Sequence, residues 1–125
     1  MATGCYDKIC IIIPSLNPDD KLLRLLKNLR EGGFTHILLV NDGSKEECMH
    51  YFREAEETYG CIVLRHHVNF GKGAALKTAF NHYLNTFPDF DGVITVDSDG
   101  QHGLEDIRKC ADDMLANPDA LILSS

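Results

Sequence analysis

A short apolar run, Val93-Ile94-Thr95-Val96, leads directly into Asp97-Ser98-Asp99-Gly100-Gln101. The β-branched run has the composition of a buried strand. Positions i and i+2 of an extended chain point to the same side, so Asp97 and Asp99 aim at one spot. Two like charges there repel unless a cation sits between them. Hard divalent cations such as Mg²⁺ take oxygen ligands and usually keep waters or substrate phosphates in their shell. The spacing therefore predicts a metal–phosphate site at the carboxyl end of a strand, with Asp97, Asp99 and Gln101 offering oxygens. The competing reading is a polar turn, since Asp and Gly are common turn formers. A calcium-binding helix–loop–helix motif is excluded, because its sixth loop position needs Gly and His102 stands there.

Other polar groups are candidates with weaker patterns. Asp42 in Asp42-Gly43-Ser44 could accept hydrogen bonds from a nucleobase or ribose, but taken by itself the triplet is better explained as a turn followed by a helix cap. Asn69-Phe70-Gly71-Lys72-Gly73 could bring backbone and a Lys72 cation close to phosphate. It is not a Walker loop, because His66 holds the first Gly position and Gly73 follows the Lys. Nor is it a dinucleotide fingerprint, because Leu76 holds the third Gly position. His66, His67 and His102 read as surface or loop histidines.

The elements that must position these groups alternate along the chain. Lys8 to Ile13 is an apolar strand ended by Pro14. Asn17-Pro18-Asp19-Asp20 opens a helix with Asn as N-cap, Pro in the first turn and acids near the positive end. Leu22, Leu25, Leu26 and Leu29 carry its period, and Gly32-Gly33 stops it. His36 to Val40 is a second strand. Ser44 with Glu47 forms a capping box for a helix striped by Met49, Phe52, Ala55 and Tyr59. Cys61 to Leu64 is a third strand. A helix from about Lys72 carries Leu76, Phe80, Tyr83, Leu84 and Phe87 and closes at Pro88. After the Asp-ending strand come a helix striped by Leu104, Ile107, Cys110, Ala111 and Met114, and a fifth strand at Ala120 to Leu123.

Alternating strands and helices predict an α/β fold: a mostly parallel sheet with helices on both faces. The expected strand order is 3-2-1-4, with a switch point between the first and fourth strands. Ligands bind outside the carboxyl ends of strands at such a point. The loops at Pro14 to Asn17, Asn41 to Ser44 and Asp97 to Asp99 converge there.

Composition narrows the partners. With 125 residues the chain suits a single domain spanning 1–125. A net charge of −7 argues against a nucleic-acid footprint. No apolar run is long enough to span a bilayer, and the N-terminus lacks signal-peptide features. The five cysteines are odd in number and form no Cys-x-x-Cys, which fits a reducing compartment, the cytosol.

Taken in order, Ile13-Pro14-Ser15-Leu16-Asn17, Leu39-Val40-Asn41-Asp42-Gly43-Ser44, Asn69-Phe70-Gly71-Lys72-Gly73-Ala74 and Val96-Asp97-Ser98-Asp99-Gly100-Gln101-His102 resemble a family 2 glycosyltransferase of the GT-A fold. The Asp-Gly-Gln-His ending is most similar to the dolichyl-phosphate mannosyltransferase-like branch. The resemblance implies the Rossmann-like nucleotide-binding half of that fold and a UDP- or GDP-sugar donor. It also implies a Mg²⁺ or Mn²⁺ ion and inverting transfer to a hydroxyl, a glycan or a polyprenyl phosphate. By carry-over, Pro14 and Leu16 line the nucleotide, and Val40 and Asp42 hold base and ribose. Lys72 and Ser98 join the donor site, and Asp97, Asp99 and Gln101 hold the metal. Leu16 replaces a common Tyr, Pro18 a common Glu, and Asn41 the first of two aspartates. The catalytic base is expected beyond residue 125, so the chain reads as the N-terminal portion of its domain. Peripheral membrane contact is a further expectation. Two alternatives stand beside this reading: a non-catalytic nucleotide-sugar-binding fragment, and a haloacid-dehalogenase-type phosphatase, whose Asp-x-Asp normally follows the first strand.

Overall fold

Among the described residues, four short strands alternate their side chains between two apolar layers. The computed structural model describes residues 8–86, 90, 92–96 and 103–116. The strands are β1 (Ile9–Ser15), β2 (His36–Asp42), β3 (Ile62–His66) and β4 (Gly92–Thr95). The helices are α1 (Asp20–Glu31), α2 (Met49–Tyr59), α3 (Lys72–Thr86) and α4 (Leu104–Ala116). The sheet order is β3-β2-β1-β4 and every pairing is parallel, as the alternation predicts. The fifth strand at Ala120 to Leu123 and the helix stop at Pro88 lie outside the described residues.

The period of two divides the core. Ile9, Ile11 and Ile13 of β1 join Ile37, Leu39, Ile94 and Val96 against α1, α2 and α4. Cys10 and Ile12 join Leu38, Val40 and Val93 against Ala75 and Ala79 of α3. Both faces of β1 are thus covered, which is why it reads as an unbroken apolar run. The α1 stripe Leu22, Leu25, Leu26 and Leu29 is buried throughout. Each such side chain contributes about 1.5–3 kcal/mol of transfer free energy. Cys10 and Cys61 are buried, and burial pushes both thiols up to about 12, so they behave as small apolar fillers.

Three local expectations are corrected. Helix α1 starts two residues later than the Asn17 cap implies: Asp19 is the N-cap, accepting from the Lys21 N–H at 2.9 Å. Asn17 instead has φ +50°, a left-handed conformation that Asn tolerates. Strand β1 runs through Pro14 to Ser15, with Pro14 level with Val40. The last β4 contact is Val96 N–H to the Ile12 carbonyl at 2.9 Å. Strand hydrogen-bonding groups alternate sides, so Pro14 stands where the next donor toward β4 would be, and proline has none. Among the described residues the β1–β4 ladder ends at the bond from Val96 to Ile12, and Pro14 offers no donor for a further one. Ser44 caps neither the short 3₁₀ turn at Glu46–Cys48 nor α2, both of which start without a side-chain cap.

Candidate donor-binding edge

At the carboxyl edge of the sheet, three loops are tied together by side chains of β2 and its neighbours. The first tie joins the β1–α1 and β2–α2 loops. Asn17 N–H donates to Ser44 Oγ at 2.9 Å, and Asn17 Oδ1 accepts from Lys45 N–H at 2.8 Å. The capping-box reading of Ser44 fails for this reason: its hydroxyl serves a residue 27 positions away. Asn41 Oδ1 accepts from Ser44 N–H at 2.9 Å and fixes the turn itself.

The second tie joins β2 to the loop between β3 and α3, and Asp42 makes it. Its Oδ1 accepts from His66 Nδ1 at 2.7 Å and from Phe70 N–H at 3.0 Å; its Oδ2 accepts from Gly71 N–H at 2.9 Å. Asp42 is 4% exposed, so nearly the whole carboxylate is enclosed by its own chain. An ionised carboxylate only accepts, which makes Nδ1 of His66 the protonated nitrogen. Nε2 of a neutral His66 then accepts from Thr78 Oγ1 at 2.8 Å, extending the chain of bonds onto α3. Burial alone raises the Asp42 pKa, but the hydrogen bonds from His66, Phe70 and Gly71 outweigh it and hold the group below its ordinary value of 3.8.

A pH dependence follows. A carboxylate with a depressed folded pKa contributes stability that is complete above its unfolded value, near 3.9, and is lost as pH falls through the folded value. The urea midpoint of the wild type is therefore expected to fall more steeply below about pH 4 than that of Asp42→Asn. Parallel curves for the two proteins would contradict the assignment.

Close packing completes the second tie. Gly43 has φ +76°, and a Cβ placed on it would lie 2.4 Å from the backbone at Val68 and Asn69. Gly71, φ +98°, donates also to Asn69 Oδ1, and its carbonyl accepts from Ala75 N–H as α3 begins. Lys72, the first residue of α3, thus starts its helix at this edge.

The candidate residues separate by position. Leu16, 43% exposed, lies on the β1–α1 loop, and Pro14, half-buried, lies near the end of β1. Val40 is completely buried against α3, so a nucleotide could meet only its backbone. Asp42 reaches the edge, but its carboxylate is engaged as an internal tie. Asp97, Ser98, Asp99 and Gln101 lie outside the described residues, as do Gly100 and His102; the buried Val96 fixes where they begin. Among the described residues no three His, Cys, Asp or Glu side chains gather into a set that could hold a metal ion.

Two participants escaped the sequence reading. His66 was assigned to a loop, but β3 extends two residues beyond Leu64 and sets His66 level with Asp42. Thr78 carries no motif. A usable signal did exist, since an acid and a histidine each end one of two adjacent parallel strands.

A model of the family described as glycosyl transferase family 2 matches residues 10–125. The chain is 36% identical over 103 residues to MJ1222, an uncharacterized protein of Methanocaldococcus jannaschii; the match takes in 82% of this chain and 40% of that protein. It is 28% identical over 114 residues to the UDP-N-acetylglucosamine–dolichyl-phosphate N-acetylglucosaminyltransferase of Methanococcus voltae, covering 81% of this chain and 45% of the relative. The chain thus spans less than half the length of these relatives. The crystal structure of S. aureus TarS 1-349 superposes with a TM-score of 0.60 at 20% identity, over 84% of this chain and 32% of that one. That likeness concerns the fold alone, which is the α/β architecture of the GT-A type.

Proposed function

The chain belongs to glycosyl transferase family 2, and from that membership we propose that it forms the donor-binding part of an enzyme that transfers a sugar from a nucleoside diphosphate, with inversion, to a hydroxyl or polyprenyl-phosphate acceptor. The observation that carries the reading is the lacing of three loops at the carboxyl edge of the sheet, with the Asp97-Ser98-Asp99 segment following β4 in the sequence. A sugar nucleotide needs such a preformed, polar, open edge at a topological switch point.

The roles proposed here come from the family resemblance. Pro14 and Leu16 line the nucleotide, and the backbone at Val40 borders it. Asp42 acts one step back, holding the Phe70–Gly71 backbone in place. Lys72, at the start of α3, and Ser98 favour the diphosphate. Asp97, Asp99 and Gln101 offer only oxygen donors, a set chemically suited to Mg²⁺ or Mn²⁺ and poorly suited to softer metals. A bound divalent cation would neutralise charge on the departing nucleoside diphosphate. The acceptor oxygen would bond to the sugar's anomeric carbon from the face opposite the departing oxygen, which inverts that centre. The general base would come from outside these 125 residues.

The Methanococcus voltae relative, named for dolichyl phosphate, supports a lipid-phosphate acceptor and hence contact with a membrane surface. Among the described residues no helix is long and apolar enough to cross a membrane. The test is titration of the purified protein with UDP and GDP in the presence of Mn²⁺, beside transfer of labelled sugar from UDP- and GDP-sugars to a short polyprenyl phosphate. Nucleotide binding without full turnover by these 125 residues supports the reading. No nucleotide binding, or transfer at an ordinary enzymatic rate by these residues alone, contradicts it.

A further inference from the structure

Among the described residues the exposed large apolar side chains are Leu16, Val68, Phe70 and Leu84, and three of these four stand on the laced loops. Phe70 is the aromatic one and is 63% exposed. An exposed phenylalanine in a loop normally has freedom to fold back onto the surface, yet this one is restrained twice. Its N–H is bonded to Asp42 at 3.0 Å, and its ring meets the His66 ring edge-to-face, with centroids 5.3 Å apart and planes at 76°. His66 is itself fixed at both nitrogens. The part-buried Asp42–His66–Thr78 chain therefore restrains an aromatic ring and leaves most of its surface to solvent.

We propose that Phe70 is the stacking platform for the nucleobase of the bound nucleoside diphosphate, with Leu16 and Val68 as its apolar surroundings. The inference rests on the donor-binding reading above and adds the residue that grips the base. A π-face held rigid before binding suits a flat ligand, because little ordering entropy remains to be lost. The same three side chains could instead dip into a membrane. The net charge of −7 disfavours approach to an anionic lipid surface, and Val68 and Phe70 lie just before the start of α3, where a diphosphate finds a positive helix end.

The test is calorimetric titration of wild type, Phe70→Ala, Phe70→Leu and Phe70→Tyr with UDP, GDP and inorganic pyrophosphate at saturating Mn²⁺. Base stacking lost to alanine weakens binding roughly 5- to 100-fold. The expected result is a loss of that size for UDP or GDP in the Ala and Leu variants, affinity close to wild type in the Tyr variant, and unchanged pyrophosphate binding throughout. Unchanged nucleotide affinity in Phe70→Ala overturns the proposal. So does an equal loss for pyrophosphate, which would mean a disturbed loop. Loss of sedimentation with phosphatidylglycerol vesicles alongside intact nucleotide affinity overturns it in favour of a membrane contact. Failure of the wild type to bind either nucleotide removes the donor-binding reading itself, a different outcome from a silent Phe70.

Discussion

Asp42→Ala is expected to lower the unfolding free energy by about 3 kcal/mol and to abolish the order of the 66–71 loop. The estimate comes from what the substitution strands. Phe70 N–H, Gly71 N–H and His66 Nδ1–H all lose their acceptor, and Asp42 is buried, so water cannot simply replace it. Each buried donor left unpaired costs about 1–3 kcal/mol. Gly71 N–H keeps Asn69 Oδ1 as a second acceptor, which holds the total near the lower end. The urea midpoint should fall with the slope unchanged, and amide exchange at Phe70 and Gly71 should accelerate more than at the β1–β2 ladder. A loss below about 1 kcal/mol would mean that the tie is dispensable.

Gly43→Ala should cost a similar amount by another route. A left-handed backbone costs an L-residue about 1–2 kcal/mol. The added methyl also lands 2.4 Å from backbone atoms of Val68 and Asn69, which cannot swing aside as a side-chain tip would. Overpacking of this kind costs about 1–3 kcal/mol. A total of about 3 kcal/mol is expected by urea denaturation, with Gly73→Ala as control. Gly73 has open space where a Cβ would go and lies in the first turn of α3, so alanine there should be neutral or stabilising. Equal behaviour of the two variants would contradict the close approach of the β2 and β3 loops.

These two residues mark the boundary of what the chain discloses one element at a time. The order β3-β2-β1-β4 was legible because strand and helix periods alternate strictly and a two-sided strand such as Ile9 to Ile13 must lie inside the sheet. The α1 stripe was legible because four leucines at helical spacing have one way to be buried. The ties across the edge were not, because they depend on which residues of different strands end up level. Arg65 and His66 look like loop in a one-dimensional reading, since strand ends that project past the helices need no apolar pattern. The Ser44–Glu47 spacing satisfies a capping box equally well, but the Asn17 N–H, brought in by tertiary folding, takes the hydroxyl. The motifs therefore located the edge, and the register decided that Asp42 organises it from within. The phosphatase alternative placed its paired acids after the first strand; here the Asp-x-Asp sequence follows β4, and the family match adds nothing to that reading.

The central proposal is electrostatic: Asp97 and Asp99 would hold a divalent cation, which would neutralise charge on the donor's diphosphate. Calorimetric titration of the purified protein with UDP and GDP, with and without Mn²⁺, in wild type and Asp99→Ala, tests it most directly. The account predicts binding of at least one nucleotide that requires Mn²⁺ and weakens on the order of 100-fold or more in Asp99→Ala, while the urea midpoint stays put. Nucleotide binding of equal strength with and without metal, or undiminished in Asp99→Ala, would contradict it.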